Sequence, residues 1–198
     1  WLNQLMKSAG VDFVVKGKEN IPENEAVIYV PNHQGIFDMP ALILNTPTPC
    51  GFIAKKELQK VPIVRTWMWL LDCVFIDREN KREARVAIKE AIELINKGRS
   101  MVIFPEGTRS KNGEIQRFKG GAFALAKEAG VEILPVVMDG TTKIFKPKSF
   151  FFNWKHCLTI KVLPPISAER VAQTDTAEMA KEVQEMMTET LAEIRKAN

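Results

Sequence analysis

His33 is followed five positions later by Asp38, in the run Asn32-His33-Gln34-Gly35-Ile36-Phe37-Asp38. A carboxylate that accepts from one imidazole nitrogen fixes the tautomer and leaves the other nitrogen free to take a proton, as a general base must. A helix would defeat this pairing, because five residues at about 100° each set the two side chains about 140° apart. Pro31 and Gly35 instead mark an irregular loop, and Pro40 suits the first turn of a following helix. A loop-borne His33 can then meet Asp38 near a helix start. Taken alone, the same two residues also fit a turn cap and a helix cap with no chemistry.

Two further segments, Phe75-Ile76-Asp77-Arg78 and Phe104-Pro105-Glu106-Gly107-Thr108-Arg109, each put an arginine just past an apolar run. The guanidinium fork matches two phosphate oxygens at once and keeps its charge near neutrality. In isolation Arg78 reads as a solvated charge at a helix entry, and Pro-Glu-Gly-Thr as an ordinary turn. Gly107 lets a ligand or the His33 loop come close to the backbone. Glu106, unable to attract a phosphate, is assigned to orienting a basic side chain or accepting from a substrate hydroxyl.

These residues must be held by regular elements. Apolar positions Ala84, Ala87, Ile88, Ala91, Ile92, Leu94 and Ile95 recur at helical spacing, with Asn80 as cap and Gly98 at the close. Residues 101–104 then read as a short buried strand, 120–129 as a helix ending at Gly130, and 133–137 as the next strand. Further strands are expected at 13–15, 26–30, 52–54, 74–76 and 158–162, and a last helix over about 176–196. Alternating strands and helices predict an α/β fold, a single domain with a central mixed sheet flanked by helices. In such sheets ligands sit beyond the carboxyl ends of strands, where the motifs fall.

With 198 residues and 45% hydrophobic content, the chain sustains one core, read as one domain over 1–198. Residues 1–10 are taken as a remnant of an N-terminal membrane-associated segment, with Trp1, Leu2, Leu5 and Met6 on one side of a surface helix. The net charge of +4, from 28 basic and 24 acidic residues, suits anionic partners without requiring nucleic acid. Cys50, Cys73 and Cys157 are too few and too scattered for a disulfide framework or a zinc site. Metal hydrolysis is disfavoured because the two histidines, His33 and His156, lie far apart, and His156 reads as an ordinary strand residue. A serine hydrolase would need G-x-S-x-G after a strand; the nearest run, Gly98-Arg99-Ser100-Met101-Val102, lacks the second glycine and precedes its strand. No apolar stretch approaches the roughly 20 residues of a membrane-spanning helix.

In order, Asn32-His33-x4-Asp38, Phe75-Ile76-Asp77-Arg78, Phe104-Pro105-Glu106-Gly107-Thr108-Arg109-Ser110 and Leu134-Pro135-Val136-Val137 resemble the four motifs of the glycerolipid acyltransferase family, above all its 1-acylglycerol-3-phosphate branch. The likeness covers about residues 13–165. It implies that His33 and Asp38 are the catalytic pair and that Arg78, Glu106, Gly107 and Arg109 bind a glycerol-phosphate. The stretch Phe52-Ile53-Ala54-Lys55-Lys56-Glu57-Leu58 also resembles the family; Lys55 is carried as a further phosphate contact, with Lys56 left open. The implied reaction moves a fatty acyl group from acyl-CoA or an acyl carrier protein to the free hydroxyl of lysophosphatidate, giving phosphatidate, with no cofactor beyond the donor. Another lysolipid acceptor, or a catalytically silent lipid-phosphate-binding module, are the alternatives. One departure is Asp72, where the family's second motif often has glycine.

The implied setting is the cytoplasmic face of a membrane. Lys143, Lys146, Lys148 and Lys155 surround Phe150, Phe151, Phe152 and Trp154, a mixture that suits an anionic lipid interface as well as a loop packing its aromatics on the core. Trp67-Met68-Trp69-Leu70-Leu71 is read as core packing, with acyl-chain burial as the alternative.

Overall fold

Short apolar runs separated by amphipathic stretches build a sheet covered on both sides. The computed structural model describes residues 2–8, 10–47, 50–77, 79–144 and 156–197. In chain order the elements are α1 (Leu2–Ser8), β1 (Val11–Lys16), β2 (Ile28–Pro31), α2 (Asp38–Asn45), β3 (Gly51–Lys55), α3 (Pro62–Leu70), β4 (Val74–Ile76), α4 (Lys81–Asn96), β5 (Met101–Val102), α5 (Gly121–Ala129), β6 (Ile133–Asp139), α6 (Thr141–Ile144), β7 (His156–Val162), α7 (Ala168–Gln173) and α8 (Thr176–Ala197). Short 3-10 turns at Lys18–Asn20 and Lys56–Lys60 complete them.

The seven strands form one mixed sheet in the order β1-β7-β6-β2-β5-β3-β4. Strands β6, β2, β5, β3 and β4 run parallel, while β7 is antiparallel to β6 and carries β1 alongside it. Period-two alternation divides the core. Ile28, Val30, Ile133 and Val137 face the helices α4, α5, α7 and α8, whereas Tyr29, Leu134, Val136 and Met138 face α1, α2 and α3. Burial on both faces is why the strands read as continuous apolar runs.

The expected helix after Asn80 forms as α4. Asn80 Oδ1 accepts from the amides of Arg82 and Glu83 and its Nδ2 donates to Glu83, a cap that satisfies the first-turn donors. Ala87, Ala91 and Ile95, four apart, meet the sheet. The strand expected over 101–104 is shorter: only Met101 and Val102 are laddered, although the Ile103 amide still donates to Tyr29 O at 3.0 Å. Asp72 has φ 53°, the one left-handed non-glycine among the described residues. A glycine would adopt that conformation freely, and aspartate tolerates it better than most side chains. One expectation is corrected: α3 turns Trp67, Trp69 and Leu70 to the outside rather than into the core, which Met68 enters and on which the following Leu71 packs. Helix α1 lies at the surface with Asn3, Gln4, Lys7 and Ser8 exposed, and it sets Met6 into the fold.

Candidate active site

Parallel strands bring their carboxyl ends to one edge. There the loop after β2 carries His33, the loop after β5 carries residues 104–109, and β3 ends on Lys55. The path from β2 to α2 is irregular because its amides bond side chains instead of a ladder. Asp38, at the first residue of α2 and fully buried, accepts through Oδ2 from the amides of Gln34 at 2.7 Å and Gly35 at 2.9 Å. The same oxygen lies 2.7 Å from His33 Nδ1. A carboxylate at a helix N-terminus is favoured by the macrodipole, which helps hold this charge in the interior. Asp38 Oδ1 has no hydrogen-bond partner among the described residues. A buried oxygen left so costs of order 1–3 kcal/mol, the kind of cost that functional sites retain.

His33 is fixed from four directions. Its amide donates to Glu106 Oε1 at 2.7 Å, its carbonyl accepts from the Ser110 amide at 2.8 Å, its ring stacks on Phe104 with centroids 4.0 Å apart, and Nδ1 is taken by Asp38. Nε2 is the ring nitrogen left for a ligand. The side chain is 20% exposed, enough to be reached and too little to swing.

Glu106 is 3% exposed, and its second oxygen accepts from the Gln116 amide at 3.1 Å, so each carboxylate oxygen holds a backbone amide. Burial pushes its carboxyl pKa up, opposed by the two amide donors. Glu106 is a brace that ties the loop after β5 to the backbone of His33.

Behind the pair lies a frame that inspection of the sequence missed. Asn32 exchanges hydrogen bonds with the Met138 backbone, at 2.9 Å from Nδ2 to O and 2.7 Å from N to Oδ1. Gln34 donates to Gly113 O at 3.1 Å and accepts from the Gly140 amide at 3.2 Å. Arg195, near the end of α8, reaches Asp139 at 3.1 Å, Glu114 at 2.6 Å and Gly113 O at 2.8 Å. The polar run 32–34 between an apolar strand and an apolar helix was the available signal: amides buried there need partners from elsewhere in the chain.

In front of His33 opens a cavity of about 460 Å³. Ile36, Met39, Phe52, Leu58, Val64 and Met68 make its apolar wall, and Lys55, Gly107 and Arg109 line it as well. Gly107, at φ 72°, takes the left-handed turn that brings the Thr108–Arg109 backbone round to the cavity. Of the two lysines, Lys55 lines the cavity, whereas Lys56 is paired with Glu83 and Asp77. Arg78 lies outside the described residues. Base, apolar wall and two cations therefore converge on one space, and no group of His, Cys, Asp or Glu able to hold a metal ion is found among the described residues.

Such a site combines a proton acceptor with room for a hydrocarbon and cations for an anion, and comparison with known proteins defines the class. The model of a family described as Acyltransferase matches residues 12–139, and the chain belongs to that family. Within it, the chain is 36% identical over 93% of its length to the 1-acyl-sn-glycerol-3-phosphate acyltransferase of Saccharomyces cerevisiae, and 31% identical over 94% to that of Borreliella burgdorferi. It spans 61% of the yeast protein and 74% of the bacterial one. The crystal structure of the 1-acyl-sn-glycerophosphate (LPA) acyltransferase PlsC from Thermotoga maritima superposes with a TM-score of 0.84 at 32% identity, covering 98% of this chain and 76% of that one.

Proposed function

We propose that the protein transfers a fatty acyl group from the thioester of acyl-CoA or an acyl carrier protein to the free hydroxyl of 1-acyl-glycerol-3-phosphate, forming phosphatidic acid. The observation that carries this reading is a histidine held by a buried aspartate at the edge of an apolar cavity that also holds Lys55 and Arg109. His33 Nε2 takes the hydroxyl proton as the oxygen attacks the thioester carbonyl. The carbon–sulfur bond then breaks, and the imidazolium returns the proton to the departing thiolate. Asp38 keeps Nδ1 protonated and offsets the charge on the imidazolium. Lys55 and Arg109, with Arg78, grip the phosphate and so set where the hydroxyl lies relative to Nε2, converting diffusion into positioning. The acyl chains occupy the apolar wall. No covalent acyl-enzyme is needed, since the hydroxyl attacks directly.

The enzyme works peripherally at the cytoplasmic face of the membrane, drawing its acceptor from an anionic lipid surface, with no role for nucleic acid. Among the described residues no helix is long and apolar enough to cross a membrane. The aromatic and basic residues of 146–155 first considered for lipid contact lie outside the described residues. The test is thiol release from an acyl-CoA with and without lysophosphatidate, together with lipid-product analysis. Acceptor-dependent release with phosphatidate formed is the expected result. Acceptor-independent release would make the protein a hydrolase, and no release a binding module.

A further inference from the structure

Helix α3 stands at the mouth of the catalytic cavity and presents opposite characters on its two sides. Val64 and Met68 line the cavity beside His33, with Met68 buried. On the far side Trp69 is 73% exposed, Leu70 62% and Trp67 48%. At about 100° per residue, Leu70 falls between the two indoles, so the three form one outward face opposite Met68. Val61, just before α3, is exposed as well, and the exposed Leu58 and Ile36 line the cavity itself. Large apolar side chains gathered in the open beside a cavity mark a contact site. Its charge narrows the contact: α3 carries Arg65 and no acidic residue, Lys60 precedes it and Lys55 lines the cavity, against Glu57 in the preceding turn and Glu90 of α4 in the hollow that Trp69 and Arg65 also line.

We propose that this face of α3 is the surface on which the protein rests against an anionic lipid bilayer, with its indoles at the headgroup level. The chemistry fits that one occupant. Tryptophan is amphipathic and settles at the boundary between headgroups and acyl chains, the aliphatic side chains enter the acyl layer, and the ammonium and guanidinium groups meet the phosphates. Continuity decides the rest. Because one side of α3 lines the cavity and the other meets the lipid, an amphiphile passes from bilayer to His33 along Leu58 and Val64 without its hydrocarbon crossing water. The inference rests on the acyl-transfer reading only in taking the acceptor to be a membrane lipid.

The experiment compares the full chain with a Trp69→Glu, Leu70→Glu double variant, and with Val86→Glu, which changes an equally exposed apolar residue on α4. Flotation with vesicles of equal parts phosphatidylcholine and phosphatidylglycerol should fall about tenfold or more in the double variant and stay unchanged in Val86→Glu. Turnover of a vesicle-embedded acceptor should fall in step, while turnover of a short-chain, monomeric acceptor and the melting temperature hold. In a Trp1→Phe, Trp154→Phe background, brominated phospholipids should quench the remaining indole fluorescence. Vesicle binding indifferent to the double variant, a loss no larger than in Val86→Glu, absent quenching, or dimerisation through this face would each overturn the proposal. If vesicles bind through α3 while no acyl group is transferred, docking stands and the catalytic reading falls; the converse separates them the other way.

Discussion

Replacing Glu106 by glutamine tests the brace directly. The substitution preserves shape but offers one acceptor and one donor where two backbone N–H groups converge. The carboxamide will turn its oxygen to the shorter contact, the 2.7 Å bond from His33, and leave the Gln116 amide facing an NH2. A buried donor without a partner costs about 1–3 kcal/mol, and removing a buried charge returns part of that. The net expectation is a loss of about 1–2 kcal/mol, roughly 3–6 °C in Tm for a chain of this size. Because the His33 backbone stays anchored, kcat should fall less than about tenfold, under about 1.4 kcal/mol in barrier. Glu106→Ala frees both amides, at about 3–5 kcal/mol in stability. A His33 loop displaced by about 1 Å then costs on the order of a hundredfold in kcat. Acceptor-dependent thiol release gives kcat and the acceptor KM, and calorimetry gives Tm. A raised acceptor KM with kcat and Tm untouched in Glu106→Gln would refute the brace and return the carboxylate to substrate contact. The pH dependence supplies a second check. Since the folded pKa of Glu106 lies above its unfolded value, its contribution to stability is fullest below the ordinary carboxylate range. That contribution is lost as pH rises through the raised value, so the stability advantage of wild type over Glu106→Gln should shrink with rising pH.

His33→Ala should abolish turnover with Tm nearly unchanged, and Asp38→Asn should lower kcat about 10²–10⁴-fold; either variant retaining wild-type turnover would remove the base assignment. Arg109→Ala should raise KM for the phosphate-bearing acceptor about tenfold or more, with little change for the donor, measured by varying each in turn. Burial pushes the Cys50 and Cys73 thiols up to about 11, whereas Cys157 is exposed, so a maleimide should label one thiol quickly at neutral pH and three only after denaturation. Asp72→Val should cost about 2 kcal/mol in urea unfolding while Asp72→Gly stays within about 0.5 kcal/mol, because only the branched residue is excluded from a left-handed backbone.

The contact between His33 and Asp38 was legible because its logic is local. On a helix the five-residue spacing would keep the two side chains apart, but Pro31 and Gly35 favour a loop and Asp38 opens the next helix, so neighbouring residues allowed the meeting that the fold makes. The mixed sheet flanked by helices followed from the alternation of apolar runs. The bracing contacts of Glu106 were not legible because its partners, His33 and Gln116, come from a separate loop and from the same loop ten residues on, and a carboxylate in an exposed-looking turn carries no mark of being buried. Gln34, Asp139 and Arg195 meet only across the finished fold, so nothing in the spacing announced them. For α3, pattern alone did not settle which helix face meets the core. Trp and Leu are apolar on either side, and burial decided for Met68.

Arg195 closes the frame behind the catalytic loop by joining the end of β6 to residues 113 and 114. The ribosome makes it long after His33, Asp38 and the loop it secures. A nascent chain can therefore lay down its sheet and expose the histidine–aspartate pair before the part that clamps them exists, and the order of synthesis runs against the order of assembly at the site. The frame around the His33 loop is thus complete only once α8 has been made and packed against the sheet, however early the loop itself is laid down.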